Sequence, residues 1–527
     1  MSLSSLDLAI VIGYAIALIA IAIAVSREKA GHSKDTRDFF LAGKALPWWA
    51  VGASLIAANI SAEQIIGMSG SGYVIGLAIA SYEWMAAATL IIVGKYFLPI
   101  FLKHGIYTMP QFLEHRFDAR VKTVMSIFWL GLYTFVNLTA ILWLGATAIH
   151  AMTGFDTTVG LVALALFAVA YSIYGGLKAV ALTDIIQIVL LVAGGLLIAW
   201  ISLDAVSGGA GPVAGFGVLL AQAPERFDMI LSPDNPQYMN LPGIGVLVGG
   251  MWMMNLSYWG FNQYIIQRAL GAKSVDEAQK GIVFAAFLKL LMPLIIVVPG
   301  IAAFVLAQDP ASGVEVGRPD AAYPAMMSLA PAGIRGLIFA ALIAAIVSSL
   351  GSMMNSISTI FTLDIYKPWH PGEESERHLV TIGRVVSVAA IAIAVLVAQP
   401  LLGNFPQAFQ YIQEFTGFFT PGIVAIFLLG MFWKSATANG ALLAAIGSFV
   451  LSGLGKLLLP QIPFMDRVLY VFFACVGIVF AMALIERKDQ GERAIDLKSV
   501  SFSTSSLYNL GALIIVLILT GLYWAFW

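Results

Sequence analysis

Residues 59–64 read Asn-Ile-Ser-Ala-Glu-Gln and interrupt an apolar run that begins near Pro47. A second polar interruption, Asn-Leu-Ser-Tyr-Trp-Gly-Phe-Asn-Gln at 255–263, lies within another apolar run, residues 243–267. A broken helix in hydrocarbon leaves backbone groups unsatisfied, so such breaks persist only where they line a cavity or are buried in protein. The two stretches therefore predict two broken membrane helices that border a common site.

The composition of the whole chain is that of a membrane protein. Of its 527 residues, 60% are hydrophobic and 11% are charged, whereas a soluble domain carries about 25% charged residues. Basic and acidic residues nearly balance, at 28 and 29, and no dense basic stripe is present, so a nucleic acid partner is not expected. Cys475 is the one cysteine, which excludes disulfide scaffolds and thiolate metal clusters.

Fourteen stretches are long and apolar enough to cross a bilayer, which takes roughly 20 residues. They are residues 6–26, 47–68, 77–102, 123–150, 158–174, 179–203, 243–267, 282–307, 336–363, 385–402, 405–432, 437–459, 468–486 and 507–527. The sequence Thr-Pro-Gly at 420–422 predicts a bend in the eleventh. Loops on one side of these spans hold 21 of the 28 Lys and Arg residues, and loops on the other side hold four. Because basic residues accumulate on the cytoplasmic side, this asymmetry predicts that both termini lie outside the cell.

The two interrupted spans are five crossings apart and therefore run in opposite directions. Equivalent interruptions in inverted repeats mark the binding sites of transporters; the alternative is a pair of kinks used only for packing. We expect an all-α membrane protein with a five-plus-five inverted-repeat core and two broken helices. Residues 1–45 are predicted to form an extra N-terminal span and a cytoplasmic loop, and residues 46–204 the first repeat. An outer loop at 205–242 leads to the second repeat at 243–432, and peripheral C-terminal spans follow at 433–527.

Two opposite charges fall inside predicted spans, Glu83 in the third and Lys289 in the eighth. A charge at mid-membrane costs about 2.5–3.5 kcal/mol on the insertion scale. If both side chains face one cavity, their charges cancel and the site suits a neutral, hydroxyl-rich solute; the alternative is a structural salt bridge. Asp184, near the start of the sixth span, either assists cation passage or caps a helix N-terminus.

The ninth span is rich in hydroxyl groups, including the adjacent pair Ser348 and Ser349. A small hard cation prefers oxygen ligands, and carbonyl oxygens freed by a neighbouring broken helix can complete such a set without net charge. The alternative is that the serines allow close helix approach. The sequence contains no HExxH, no GxSxG and no nucleotide-binding P-loop, so we do not expect an enzyme.

Several motifs resemble one transporter family. Residues 171–179, Tyr-Ser-Ile-Tyr-Gly-Gly-Leu-Lys-Ala, resemble a signature of the sodium/solute symporter family. Residues 59–71, 82–85 and 258–263 resemble its sodium/glucose cotransporter branch, and the closest likeness, over nearly the whole chain, is to bacterial sodium/galactose symporters. Two positions depart from that pattern: Ser435 replaces a second basic residue in the family's second signature, and Ala86 replaces a serine near the sugar.

The resemblance implies roles for individual residues. The residues implied to hold sugar hydroxyls are Gln64, Glu83, Asn255, Lys289 and Gln413. Tyr258 is implied to stack on the sugar and form the inner gate, while Met68, Tyr82 and Phe409 close the outer side. The implied sodium ligands are the carbonyls of Ala57, Ile60 and Ala345 and the hydroxyls of Ser348 and Ser349. Asp184 is implied to lie on the exit route of the cation.

We therefore expect secondary active symport of a neutral hexose, galactose or glucose, with sodium as the coupling ion. Transport into the cell follows by alternating access, in which two helix bundles rock around the occupied site. The expected surroundings are the lipid bilayer of the plasma (inner) membrane. Two alternatives remain: a sodium-coupled symporter of another small organic solute, such as an amino acid, carboxylate or polyol, and a sodium-dependent sugar sensor or channel.

Overall fold

The computed structural model describes residues 3–25, 45–106, 108–370, 372, 375–403, 407–487 and 493–527; the side chains of 22–25, 171–185 and 376 fall outside this description. Within these ranges the regular structure is helical, apart from one isolated bridge between Leu46 and Ala272. The prediction of an all-α membrane protein is therefore confirmed.

The helices of the first half of the chain are α1 (Ser5–Val25), α2 (Trp48–Asn59), α3 (Glu63–Val74), α4 (Leu77–Lys103), α5 (Met109–Arg116), α6 (Ala119–Thr153), α7 (Thr157–Val206) and α8 (Pro212–Gln222). Those of the second half are α9 (Ile244–Val248), α10 (Gly250–Leu256), α11 (Gln263–Leu270), α12 (Val275–Gln308), α13 (Ala322–Ser328), α14 (Ile334–Trp369), α15 (Glu376–Leu402), α16 (Ala408–Thr416), α17 (Thr420–Phe432), α18 (Ala438–Leu458), α19 (Phe464–Glu486) and α20 (Ser506–Ala525).

Many of these helices are long and apolar enough to cross a bilayer. Among the described residues nine helices qualify singly, and up to eleven if each of two bent pairs counts as one span. Two further predicted spans are present as a shorter apolar helix, Ser5–Ile21, and as the divided segment from α9 to α11. The count of fourteen crossings stays a prediction.

The fifth and sixth predicted spans differ from expectation. They were expected as separate spans joined by a loop at Lys178, but the structure has one helix there, α7, of 50 residues. A straight helix of that length rises about 75 Å, at 1.5 Å per residue, which is more than twice the hydrocarbon thickness. The segment contains no proline, and the glycines near Lys178 lower helix propensity without by themselves ending a helix.

The first predicted break lies where the polar stretch places it. Helix α2 ends at Asn59, Ile60 takes an extended conformation with φ −74° and ψ 96°, and α3 continues at an angle of 59° to α2. Another bend, of 44°, separates α16 from α17. This confirms the bent eleventh span, although Pro421 lies in the first turn of α17, where its missing N–H costs nothing, rather than in the bend itself.

The seventh predicted span is broken more extensively. Helix α9 stops at Gly249, α10 follows and widens into a π-helical turn at Ser257–Phe261, and Asn262 is extended before α11 begins. The backbone of Gly249 has φ −122° and ψ −131°. This irregular segment confirms the second broken helix, and residues 255–263 coincide with its π-helical turn and its extended residue.

The broken helices are held by two long neighbours. Helix α12 packs against α2, α3 and α4, and at α2 the backbones nearly touch, since a Cβ on Gly281 would lie 2.7 Å from the carbonyl oxygen of Trp48. Helix α14 contacts α1, α7, α15 and α2. Within its apolar 18-residue stretch, 94% of the residues are buried inside the protein. A helix that is buried on every side belongs to the centre of the bundle.

Candidate functional site

The two helix breaks border one cavity of about 580 Å³, its opening included. The cavity is lined by Asn59, Glu63, Gln64, Met68, Tyr82, Glu83, Asn137, Met254, Asn255, Tyr258, Trp259, Asn262, Phe409, Ile412, Gln413 and Thr416. The structure thus brings together, from five separate helical segments, four of the five residues predicted to bind sugar hydroxyls and all four predicted gate residues.

The fifth predicted sugar-binding residue, Lys289, lies behind the cavity wall. Its Nζ atom is 2.5 Å from Oε2 of Glu83 and also donates a hydrogen bond to Oδ1 of Asn59. The ammonium group is completely buried and lies 4.9 Å from the centre of the Trp259 ring. The predicted pairing of Glu83 with Lys289 is therefore present, and the opposite charges cancel at the wall of the cavity.

The amide of Asn59 connects the two helix breaks. Its Nδ2 donates to the hydroxyl of Tyr258 at 2.9 Å, and the Tyr258 hydroxyl is in turn hydrogen-bonded to that of Tyr264. A parallel contact runs from the Tyr133 hydroxyl, which donates to Oδ1 of Asn262 at 2.5 Å. These hydrogen bonds join both helix breaks to each other and to α6, beside the cavity that Asn59, Tyr258 and Asn262 line.

The predicted outer gate residues cluster as well. The rings of Tyr82 and Phe409 meet edge to face with 5.2 Å between their centres. Helix α3 approaches this pair closely, because a Cβ on Gly67 would lie 3.1 Å from the Cβ of Phe409. Met68 follows in sequence and is buried. An apolar cover of this kind excludes water from the polar groups beneath it.

The predicted cation ligands come from the end of α2 and the middle of α14. Within the described residues, the carbonyls of Ala57 and Ile60 accept no hydrogen bond from a backbone N–H, because α2 ends at Asn59. The hydroxyl of Ser349 donates to the Ala58 carbonyl at 3.0 Å, which fixes α14 against the break. Ser348 is fully buried, as is nearly all of Ala345 one turn earlier.

The predicted cation ligands are all uncharged oxygen atoms. The part of the chain that the structure describes holds no cluster of three or more His, Cys, Asp or Glu side chains suited to a metal ion. Carbonyl and hydroxyl oxygens suit a hard monovalent cation better than a transition metal, which favours nitrogen and sulfur. Asp184, predicted on the exit route of the cation, and the motif at 171–179 lie outside the residues whose side chains are described.

Eight lining residues were given no role in the predicted site: Asn59, Glu63, Asn137, Met254, Trp259, Asn262, Ile412 and Thr416. Asn137 lies on a π-helical turn, Leu132–Leu138, inside the long helix α6. An isolated amide within an apolar span is itself a sign of function, and that signal was available for Asn137. Asn262 belonged to the quoted polar stretch, but its partner Tyr133 is 129 residues away and could not be identified from spacing.

Comparisons with known proteins agree with a membrane transport site. A model of the sodium:solute symporter family matches residues 39–447. The chain is 52% identical to a sodium/glucose cotransporter of Vibrio parahaemolyticus, over 100% of this chain and 99% of the relative. It is 34% identical to a sodium/myo-inositol cotransporter of Homo sapiens, over 86% of this chain and 67% of the relative.

A solved structure supports the same relationship. A Na⁺-coupled sialic acid symporter, in a substrate-bound outward-open state, superposes with a TM-score of 0.80 at 25% identity, covering 92% of this chain and 98% of its own. The relatives are transporters and not enzymes, in agreement with the absence of catalytic motifs. This chain is a sodium-coupled solute symporter of the membrane, and it belongs to the sodium:solute symporter family.

Proposed function

We propose that this protein carries a neutral hexose, galactose or glucose, into the cell together with sodium. The observation that carries the proposal is the ion pair of Lys289 and Glu83 at the wall of a cavity formed by two broken helices. An anionic or cationic substrate gains little from a wall whose charges cancel, whereas a polyhydroxylated neutral solute finds both donors and acceptors. The 52% identity to a protein named a sodium/glucose cotransporter supports the same assignment.

In this proposal, the sugar hydroxyls hydrogen-bond to the amides of Gln64, Asn255 and Gln413 and to the carboxylate of Glu83. Lys289 orients that carboxylate through their 2.5 Å contact and balances its charge. Tyr258 places its ring against the apolar face of the sugar. Each hydrogen bond of this kind contributes about 1 kcal/mol net, so the set gives moderate affinity, as a transporter that must release its cargo requires.

Sodium is the second substrate and binds to the carbonyls of Ala57, Ile60 and Ala345 and to the hydroxyls of Ser348 and Ser349. Bound sodium coordinates the carbonyl oxygens of Ala57 and Ile60, which accept no backbone hydrogen bond among the described residues because the helix is broken there. That interaction holds the break in the conformation in which Asn59 meets Tyr258. Sodium therefore orders the inner wall of the sugar site, and sugar that fills the site stabilises the ordered break in return.

Transport follows by alternating access between the outer cover of Met68, Tyr82 and Phe409 and the inner gate Tyr258. We assign the two inverted repeats to residues 46–204 and 243–432, with both termini outside and Asp184 on the route of the departing cation. A charge that crosses 100 mV releases about 2.3 kcal/mol, and a tenfold sodium gradient adds about 1.4 kcal/mol. One sodium can thus concentrate a neutral sugar roughly a few hundred-fold.

A polyol is the second candidate substrate, since a relative at 34% identity is named a sodium/myo-inositol cotransporter. The decisive experiment is sodium-driven uptake of radiolabelled galactose into proteoliposomes, with unlabelled glucose, myo-inositol and a neutral amino acid as competitors. The hexose proposal expects strong competition by glucose and weak competition by the other two. Stronger competition by myo-inositol would replace the hexose with a polyol, and sugar binding without accumulation would identify a sensor.

A further inference from the structure

A groove on the surface of the helix bundle lies apart from the transport cavity. It runs between α12 and α20, beside the start of α2, and has a volume of about 690 Å³, its opening included. Its lining residues are Trp48, Lys280, Val283, Phe284, Phe287, Leu507, Tyr508, Leu510, Gly511 and Ile514. Apart from Lys280 and the glycine, these are aliphatic and aromatic side chains. The groove therefore suits an apolar occupant with one polar end.

The floor of the groove forms where α20 approaches α12 closely. A Cβ on Gly511 would lie 2.5 Å from Cγ1 of Val283. About one turn earlier, Tyr508 is buried and its hydroxyl donates to the carbonyl of Ile91 on α4 at 2.5 Å. On the same helix Leu507 is 63% exposed and Leu510 is 55% exposed. Helix α20 is thus fixed at the floor, while the leucines beside it remain open to the surroundings of the protein.

The groove extends from the membrane surface into one leaflet. Lys280 lies near the start of α12 and Leu507 near the start of α20, so both helices begin at the same end of the groove. Trp48, 40% exposed, lies at that end, and tryptophan is enriched at membrane surfaces. From there the lining follows each helix to Phe287 and Ile514, about 10 Å at 1.5 Å per residue. A hydrocarbon leaflet is about 15 Å thick, so the groove is bordered by acyl chains.

The end of the groove at the membrane surface carries a balanced pair of charges. Nζ of Lys280 lies 2.6 Å from Oδ2 of Asp276, one turn earlier on α12, and both side chains are partly exposed. The neighbouring Glu277 is already used, since its Oε2 accepts the backbone N–H of Trp48 at 2.6 Å. Anionic headgroups are attracted by clusters of Lys and Arg, whereas the first turns of α12 present one ammonium and two carboxylates. A headgroup that carries both a phosphate and an ammonium finds a partner for each.

We propose that this groove binds one phospholipid with a primary ammonium headgroup, that is, a phosphatidylethanolamine. One acyl chain lies in the groove against Phe287 and Ile514, the phosphate accepts hydrogen bonds from Lys280, and the ammonium donates to Asp276. The methylated ammonium of phosphatidylcholine has no N–H to donate, and phosphatidylglycerol has no cation, so neither completes both contacts. The bound lipid bridges α20 and α12 and stabilises their attachment. The site is separate from the sodium and sugar sites and does not depend on which solute is carried.

Photolabelling in proteoliposomes locates the lipid. The bilayer is phosphatidylcholine with a trace of phosphatidylethanolamine that carries a diazirine in one acyl chain, and peptide mapping after irradiation finds the label. The reference is residues 443–457 of α18, which also expose leucines, namely Leu443, Leu454 and Leu457. We expect residues 280–287 and 507–514 to be labelled about tenfold above this reference, the factor that one charge-assisted hydrogen bond provides.

Competition identifies the headgroup. With a tenfold preference, unlabelled phosphatidylethanolamine at a tenth of the lipid fills about half of the sites, so the label should fall about twofold. The same amount of phosphatidylglycerol with the same acyl chains should leave the label unaltered. Lys280→Gln removes the phosphate contact and Asp276→Asn removes the ammonium contact. Each is expected to lower the label about tenfold, to the level of the reference stretch.

A variant that fills the groove tests the position of the acyl chain. Ile514→Trp adds bulk to the lining, and Leu454→Trp on α18 is the matched control, since the two side chains are 38% and 46% exposed. We expect the label to fall to the reference level in Ile514→Trp and to stay unchanged in Leu454→Trp. In detergent, phosphatidylethanolamine should raise the thermal unfolding temperature of the unmodified protein and of Leu454→Trp, but not that of Ile514→Trp.

Two results would overturn the inference. Label at the groove no higher than at 443–457, as expected if protein covers the groove, would remove the lipid site. Equal competition by phosphatidylglycerol and phosphatidylethanolamine, or full labelling of both Lys280→Gln and Asp276→Asn, would remove the headgroup contacts. If Ile514→Trp does not reach the membrane, the labelling of Lys280→Gln decides, because that substitution lies at the membrane surface and leaves the apolar lining intact.

Discussion

The Nδ2 atom of Asn59 donates a hydrogen bond of 2.9 Å to the hydroxyl of Tyr258, across 199 residues of sequence. Asn59 is the last residue of α2, whose unpartnered carbonyls belong to the proposed sodium site. Tyr258 lies on the π-helical turn of the other broken span and lines the sugar cavity. One hydrogen bond therefore links the cation side of the site to the sugar side.

Replacing Tyr258 by Phe removes that hydrogen bond and keeps the aromatic ring. Because a hydrogen bond contributes about 1 kcal/mol, we expect sugar to leave the loaded carrier about fivefold faster, measured by counterflow. Tyr258→Ala also removes the ring and is expected to loosen retention further. Tyr470→Phe, at an exposed position on α19, is the control. Counterflow unchanged in both Tyr258 variants would remove the gating role of this residue.

The amides at the cavity wall are expected to set the affinity for sugar. Gln64→Ala and Asn255→Ala each remove one hydrogen-bonding partner, which predicts a sugar KM raised about fivefold or more. The measurement is uptake at saturating sodium over a range of galactose concentrations. Asn240→Ala, in the outer loop away from the cavity, should leave KM unaltered. Unchanged sugar kinetics in both cavity variants would place the substrate elsewhere.

Ser348→Ala is expected to raise the sodium concentration for half-maximal uptake about fivefold or more, because one oxygen ligand of a small cation is lost. The sugar KM at saturating sodium should change little. Ser358→Ala provides a control on the same helix, since the Ser358 hydroxyl faces α15 at Gly383. An equal response of the two serine variants to sodium would move the cation away from the end of α2.

The buried ion pair predicts an asymmetry between single and double variants. Lys289→Met leaves the Glu83 carboxylate buried without its partner, which costs about 3–5 kcal/mol. We expect a large fall in the thermal unfolding temperature of the purified protein. The double variant Glu83→Gln, Lys289→Met should recover most of that stability but not sugar uptake. If the single variant unfolds at the same temperature as the double variant, the stability of the protein does not depend on the pairing of Glu83 with Lys289.

The breaks and the ion pair could be predicted from the sequence because each leaves a local signal. Polar residues at 59–64 and 255–263 stand out against apolar surroundings, and Glu83 and Lys289 are costly enough in hydrocarbon that a mutual partner was the simplest expectation. The structure places residues of both stretches and Glu83 around one cavity, and Lys289 pairs with Glu83 behind the cavity wall. Because a polar or charged side chain costs free energy inside a membrane, its presence in an apolar span indicates a specific structural or functional role.

Contacts between distant segments could not be predicted in the same way. The pairing of Tyr133 with Asn262 depends on how helices pack, and neither residue lies in a local pattern that identifies its partner. The join of two predicted spans in α7 was missed for another reason. A glycine pair and one lysine suggested a turn, but glycine lowers helix propensity without by itself ending a helix, and the backbone continues through this segment.

The most direct test of the central claim is the steady-state accumulation of radiolabelled galactose in proteoliposomes as the sodium gradient is varied at fixed membrane potential. The account predicts that the ratio of internal to external sugar rises with the imposed sodium gradient and collapses to unity when an ionophore dissipates the gradient and the potential. A ratio that stays at unity under every gradient, with sugar still bound by the protein, would contradict it.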